Sequence, residues 1–160
     1  VTLAAALISD AGAYLMVRRT ARLMQGLHEF PGGEVPAGGA PEQSLAECLA
    51  RELDLPVTIG PERARIRHSI MNRKIELIAL AAAQLPAARE RARTLVAEGA
   101  AAWVDPADIG RFGVSSMALK VLAAIAENGK APSALPAEAG AGGSPRPRGR
   151  GDRRRPERRA

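Results

Sequence analysis

Aromatic side chains are nearly absent from these 160 residues: Tyr14, Phe30, Trp103 and Phe112 are the full set. A core built almost without rings must be filled by Leu, Ile, Val, Met and Ala, through many small contacts. Cysteine is scarcer still. Cys48 stands alone, which excludes an internal disulfide and fits a reducing compartment, so a cytoplasmic setting is expected. Long apolar runs are missing too. The opening VTLAAALISD holds a short one with no basic leader before it, so no signal peptide is expected, and no run reaches the length of a membrane span. The chain begins with valine, and the expectation is either a non-methionine start or a longer protein cut at this point.

Charge of one sign is in excess, but only locally. The formal net charge is +6, yet eight of the 23 basic residues and two of the 17 acidic ones fall in residues 145–160, PRPRGRGDRRRPERRA. That leaves 15 of each sign before the tail, so the rest of the chain is electrically balanced. Eight arginines would add salt-sensitive, sequence-independent affinity for nucleic-acid phosphates, which makes DNA a partner of the tail. The same Ala, Gly, Pro and Arg are what a GC-rich reading frame yields under little selection, and the two readings are compatible. With little to bury, 130–160 is expected to be a disordered tail and 1–129 a single domain.

What is present in 1–129 alternates between strand and helix signals. Residues 1–9 and 13–19 are apolar runs of strand length around the turn-like Asp10-Ala11-Gly12, and a loop is expected from about Thr20 to Gly26. A glycine-rich loop follows, and then Pro41-Glu42-Gln43 opens a helix. Proline is tolerated in a first turn, and Glu42 is favourable beside the positive end of the dipole. Leu45, Cys48, Leu49 and Leu53 give that helix one buried face. Strands are expected at 56–59, 63–70 and 73–81, with Met71-Asn72 as a hairpin turn between the last two. Residues 87–98 read as a surface helix, and Ala101 to Val104 as a strand ended by Asp105-Pro106. Ser115 or Ser116 can cap a last helix whose Met117, Val121, Leu122 and Ile125 face inward, with Asn128-Gly129 as its stop. This order predicts an α/β fold with a mixed β-sheet sandwiched between helices.

The chemistry concentrates in GLHEFPGGEVPAGGAPEQSLAECLARELD, residues 26–54. Magnesium is a hard ion that takes oxygen ligands, so a helix that binds it with a diphosphate needs several carboxylates. Spacings of three and four residues would bring them onto one face. Paired glycines before the helix, Gly32-Gly33, let backbone come close to a ligand. The stretches GLHEFPGGEV, PEQSL and REL resemble the Nudix superfamily, whose signature runs G-x5-E-x7-R-E-U-x-E-E-x-G-U. Aligned without gaps, Gly33 takes the first glycine, and Leu49 and Leu55 take the aliphatic positions. Gly39 stands at the first glutamate, Glu47 at the arginine, Cys48 at the next glutamate, and Arg51 and Glu52 at the glutamate pair. Asp54 replaces the late glycine. Of the four glutamates only Glu52 remains, so the box is degenerate.

The resemblance runs over about residues 2–127 and implies the Nudix fold. Two subgroups are most similar: MutT-type pyrophosphohydrolases, in LHEFPGG, PEQ and NRKIEL, and the C-terminal domain of A/G-specific adenine glycosylases of the MutY type. That second domain recognises 8-oxoguanine in DNA. The similarity implies recognition of an oxidised purine, as nucleotide or DNA lesion, with little or no hydrolysis and a DNA-repair role. The alternative it implies is a MutT-like hydrolase of nucleoside di- or triphosphates, dependent on Mg²⁺. In that case Glu52 would act with Glu29 or Glu34 from the flanking loop. His68 matches the histidine that precedes the glycosylase lesion-reading loop, but Ile70, Met71 and Asn72 hold the loop positions. The glycosylase helical domain and its iron–sulfur cysteines are not in these 160 residues, and the chain would then be a fragment of a larger glycosylase.

The candidate ligand-binding residues are therefore Phe30, Gly32, Gly33, Arg51, His68, Asn72 and Arg73. Glu52 is the candidate catalytic carboxylate, and Glu52 and Glu34 are the candidate metal ligands. Each has a plainer reading. Glu52 reads more readily as a solvated helix residue, since a lone carboxylate holds Mg²⁺ poorly. Glu47 and Arg51 have the spacing of a surface ion pair. Cys48 and Phe30 fit core positions, His68 a structural role, and Asn72-Arg73 a polar turn.

Overall fold

The computed structural model describes residues 1–18 and 26–130, with the backbone alone for 129 and 130. Most of the loop expected over Thr20 to Gly26, and the arginine-rich tail from 131 on, lie outside the described residues.

The central strand explains the apolar start of the sequence. β1, Thr2–Leu7, pairs in parallel with β7, Arg73–Gln84, from Thr2↔Glu76 to Leu7↔Ala81. Its other edge takes β5, Gly32–Glu34, antiparallel. Beyond β7 lies β6, Val57–Ile70, completing a mixed sheet of order β5-β1-β7-β6. Alternate residues of β1 serve opposite faces. Ala4 and Ala6 join a cluster with Leu45 and Leu49 of α1, Pro41–Leu53. Ala5 and Leu7 join another with Ala118, Val121 and Leu122 of α3, Ser116–Lys130. A strand covered on both faces reads as a continuous apolar run, as VTLAAALI does. The expected sandwich is thus present, and its core is made mainly of aliphatic residues and alanine, with Met16, Phe30 and Cys48 besides.

A second sheet is built around β3, Ala13–Arg18, which pairs with β2, Ser9–Asp10, with β4, His28–Glu29, and with β8, Ala101–Val104. The helix α2, Pro86–Ala97, is less of a surface element than expected: Ala88, Ala92 and Leu95 are buried in the first cluster. Among the described residues no helix is long and apolar enough to cross a membrane.

Several expectations need correction. The strands placed at 56–59 and 63–70 are one strand, β6, with register shifts on both sides of Glu62. A bulge on an edge strand accommodates Pro61, which has no N–H to give, without ending the pairing. Gly32-Gly33 is not a loop but part of β5, and Glu29 and Glu34 also lie in strands. Asn128-Gly129 does not stop the last helix, which continues to Lys130 while the Asn128 amide donates to the carbonyl of Arg63 at 2.9 Å. Met71 and Asn72 do form the hairpin turn, both at positive φ, with Met71 standing in solvent.

Candidate functional site

The glycine pair is needed for the sheet before it is needed for any ligand. A Cβ on Gly32 would lie 2.0 Å from the backbone oxygen of Ala4, and one on Gly33 would lie 2.7 Å from Cys48 Sγ. Gly32 therefore lets β5 close onto β1, and Gly33 lets α1 close onto β5. Pro31 adds a bond in the same seam, its carbonyl accepting from Ala6 N–H at 2.8 Å.

Beside this seam a cavity of about 160 Å³ opens between the sheet and the start of α3. Its walls include Leu3 and Ala5 of β1, Phe30, the two glycines, Leu77 of β7, and Ser115 and Met117. Glu29 stands on its rim. Phe30 is 6% exposed, and its ring meets Tyr14 edge-on at 5.7 Å. It is a core residue and a cavity wall at once. Ser115 is the one buried polar side chain among the described residues, and its Oγ accepts from Ala118 N–H at 3.2 Å to cap α3. Two backbone bonds, His28 N–H to Gly113 O and Ser115 N–H to His28 O, stitch the cap to β4. That stitching brings Ser115 next to Glu29 and Phe30. The sequence marked Ser115 as a cap but gave no sign that it walls a cavity.

The remaining candidates sit elsewhere. Arg51 and Glu52 are on the outer face of α1, their charged groups 3.6 Å apart and their side chains 70% and 59% exposed. Glu47 is bonded to Gln43 instead of Arg51, its Oε1 accepting at 3.0 Å, so the expected Glu47–Arg51 pair is replaced by a contact of Glu47 four residues back and one of Arg51 with its neighbour Glu52. Asn72 and Arg73 are exposed at the β6–β7 hairpin. His68 is half-buried in β6, and its Nδ1 is sequestered without a hydrogen-bond partner among the described residues. Of the candidate ligand-binding residues, the cavity gathers Phe30, Gly32 and Gly33 and leaves out Arg51, His68, Asn72 and Arg73.

The α1 face is unusual in its charge. Cys48 is buried, and its thiol is held above the ordinary value by that burial. The Glu52 carboxylate adds to the rise through its charge and a hydrogen bond, while Arg51 pulls the other way. Glu52 is therefore engaged by both neighbours at the sequence positions where a magnesium-binding helix would carry more carboxylates. Among the described residues no three His, Cys, Asp or Glu side chains converge as a metal-holding group. A hard divalent cation needs several oxygen ligands, so this donor set does not fit one.

The NUDIX domain family model matches residues 3–124. Among solved structures, the E. coli ORF135 protein in solution is similar at 23% identity and a TM-score of 0.64, over 83% of this chain and 93% of that one. The MutT protein from Methanosarcina mazei Go1 is similar at 15% identity and a TM-score of 0.63, over 81% of this chain and 95% of its own. Shewanella oneidensis NrtR, complexed with a 27mer DNA, is similar at 15% identity and a TM-score of 0.58. There the match spans 79% of this chain and 60% of that one. No curated protein matches the sequence. At these identities the likeness carries the fold.

Proposed function

The chain belongs to the NUDIX domain family, and from that membership we propose that it binds an oxidised purine nucleotide, free or in DNA, with little or no hydrolysis. The observation that carries this reading is the α1 face. Its one carboxylate at the glutamate-pair positions, Glu52, is shared between Cys48 and Arg51. A cation there replaces the negative charge that would gather a metal. The cavity beside Phe30 is apolar on its walls and small enough to suit one base. Ser115 and Glu29 supply oxygen acceptors suited to an N–H that oxidation adds to a purine ring. Arg51 lies outside that cavity, exposed on α1, and would meet a phosphate there directly, without a bridging metal.

Calorimetric titration with 8-oxo-dGMP in EDTA tests the reading. Binding should persist in EDTA and weaken on Arg51→Ala. Diphosphate release from 8-oxo-dGTP with Mg²⁺ at an ordinary turnover, on the order of 1–10³ s⁻¹, and lost on Glu52→Gln would overturn it. That outcome would favour the second reading, a MutT-like pyrophosphohydrolase, which the position of Glu29 at the cavity rim supports. DNA contact, on either reading, is assigned to the arginine-rich tail. Removing 131–160 should then abolish most affinity for plain duplex DNA and flatten its salt dependence.

A further inference from the structure

A second and larger cleft, about 490 Å³, lies at the other end of the central strands. It shares no residue with the cavity beside Phe30. β7 passes the first cavity at Leu77 and reaches this cleft at its far end, Ala82 to Gln84. Across it stand α2 and β8, which contribute Arg89, Ala92, Arg93 and Trp103. Nothing in the 26–54 segment takes part, so the cleft is independent of the box and of its missing carboxylates.

The chemistry of its lining is specific. Arg89 and Arg93 are one helical turn apart, and the buried Ala92 between them fixes which face of α2 they flank. Arg89 has no acidic partner among the described residues, while Arg93 is paired with Glu90 at 3.0 Å in an exposed contact that is cheaply exchanged. Trp103 is half-buried, anchored against the core on one side and lining the cleft on the other. Gln84 adds a sequestered side-chain oxygen that receives no donor. Asp10, at the end of β2, is a further acceptor at the rim.

We propose that this cleft is a second ligand site, for a nucleoside monophosphate. The two guanidiniums would hold the phosphate, a geometry that arginine forks suit. The base would stack on the indole of Trp103. Gln84 Oε1 would accept from an amino or ring N–H of the base, and Asp10 from the sugar hydroxyls. The volume falls in the usual range for a small-molecule pocket. The proposal does not depend on what the Phe30 cavity binds.

Trp103 is the one tryptophan in the chain, so its fluorescence reports this cleft alone. Adenosine 5′-monophosphate titrated into the full chain in EDTA should quench it saturably, with inorganic phosphate competing. Arg89→Ala combined with Arg93→Ala, both exposed and safe for folding, should weaken the apparent affinity at least tenfold. Arg51→Ala, which does not line this cleft, should leave the quench as it was. The proposal is overturned by no saturable quench at millimolar concentration or by a loss smaller than tenfold in the double variant. It is also overturned if the quench disappears with Arg51→Ala.

Discussion

In β5 a single added methyl group has no room, whereas on α1 Arg51 and Glu52 stand largely in water. The two stretches are neighbours in the sequence and belong to the same family signature, yet different physics governs them. The glycine seam is constrained by backbone packing and keeps its residues whatever the protein does. The outer helix face is constrained only by ligand chemistry, so once that chemistry changes its side chains are free to change too. The fold therefore tolerates change on that outer face while the glycine seam stays fixed.

The largest test of that contrast is Gly32→Ala. Its Cβ would fall on the Ala4 carbonyl, which is β1 backbone and cannot swing aside, so β5 must part from the sheet. A loss of about 3 kcal/mol is expected in denaturant melts. Gly33→Ala is the milder neighbour, since its clash is with the side chain of Cys48. It should cost about 1–2 kcal/mol. Cys48→Ala should recover much of that loss, because the Cβ of residue 48 is 3.9 Å away and in ordinary contact. A double-mutant cycle without coupling would mean that the seam, and not the thiol, is what resists.

Cys48 sharpens the comparison from the helix side. Its thiol is raised chiefly by burial and then by Glu52, so alkylation at neutral pH should be slow and should rise only above the ordinary value of 9.0. Glu52→Gln should move that rise to lower pH. The linkage has a definite sign. A group with a raised folded pKa stabilises the fold below its unfolded value, and that contribution is lost as pH climbs through the folded one. Stability should therefore fall on the alkaline side of pH 9.0 and recover there in Cys48→Ala.

The same contrast explains what could be read from the sequence. Helix α1 was legible because Pro41, Glu42 and the Leu45, Cys48, Leu49 series are local signals. The Met71-Asn72 turn was legible for the same reason. The continuity of β6 through Pro61 was not, because a bulge is defined by the partner strand and not by its own residues. Gly32-Gly33 was recognisable as a place of close approach, but whether the approaching object was a ligand or β1 depended on pairing across the sheet. Ser115 reached the cavity only through its stitching to His28, a contact distant in sequence. The cleft at Trp103 gave no local signal, since its lining comes from four separate elements.

Asp54 allows a smaller test at the C-terminal end of α1. It ends α1 at φ 54°, ψ 39°, in the left-handed conformation, while the N–H of Leu55 closes the helix on Leu49 O at 3.0 Å. Glycine adopts that conformation without the Cβ clash. Asp54→Gly should therefore stabilise by about 0.5 kcal/mol, read as a higher denaturation midpoint. An unchanged or lower midpoint would mean that the aspartate side chain contributes something at the helix end that its backbone geometry does not reveal.

The smallest expected effect is also the one that decides whether the outer face is free. Arg51 is near Glu52, but both groups are mostly solvated, and such pairs are worth roughly 0–1 kcal/mol. Removing the guanidinium also lowers the opposition to a raised Cys48 thiol, which does not matter at neutral pH where that thiol is protonated. Arg51→Ala should therefore shift stability by less than about 0.5 kcal/mol, even as it weakens phosphate binding. A change well above that would show that Arg51 supports the helix and not a ligand. The separation between a fixed seam and a replaceable face would then fail at Arg51.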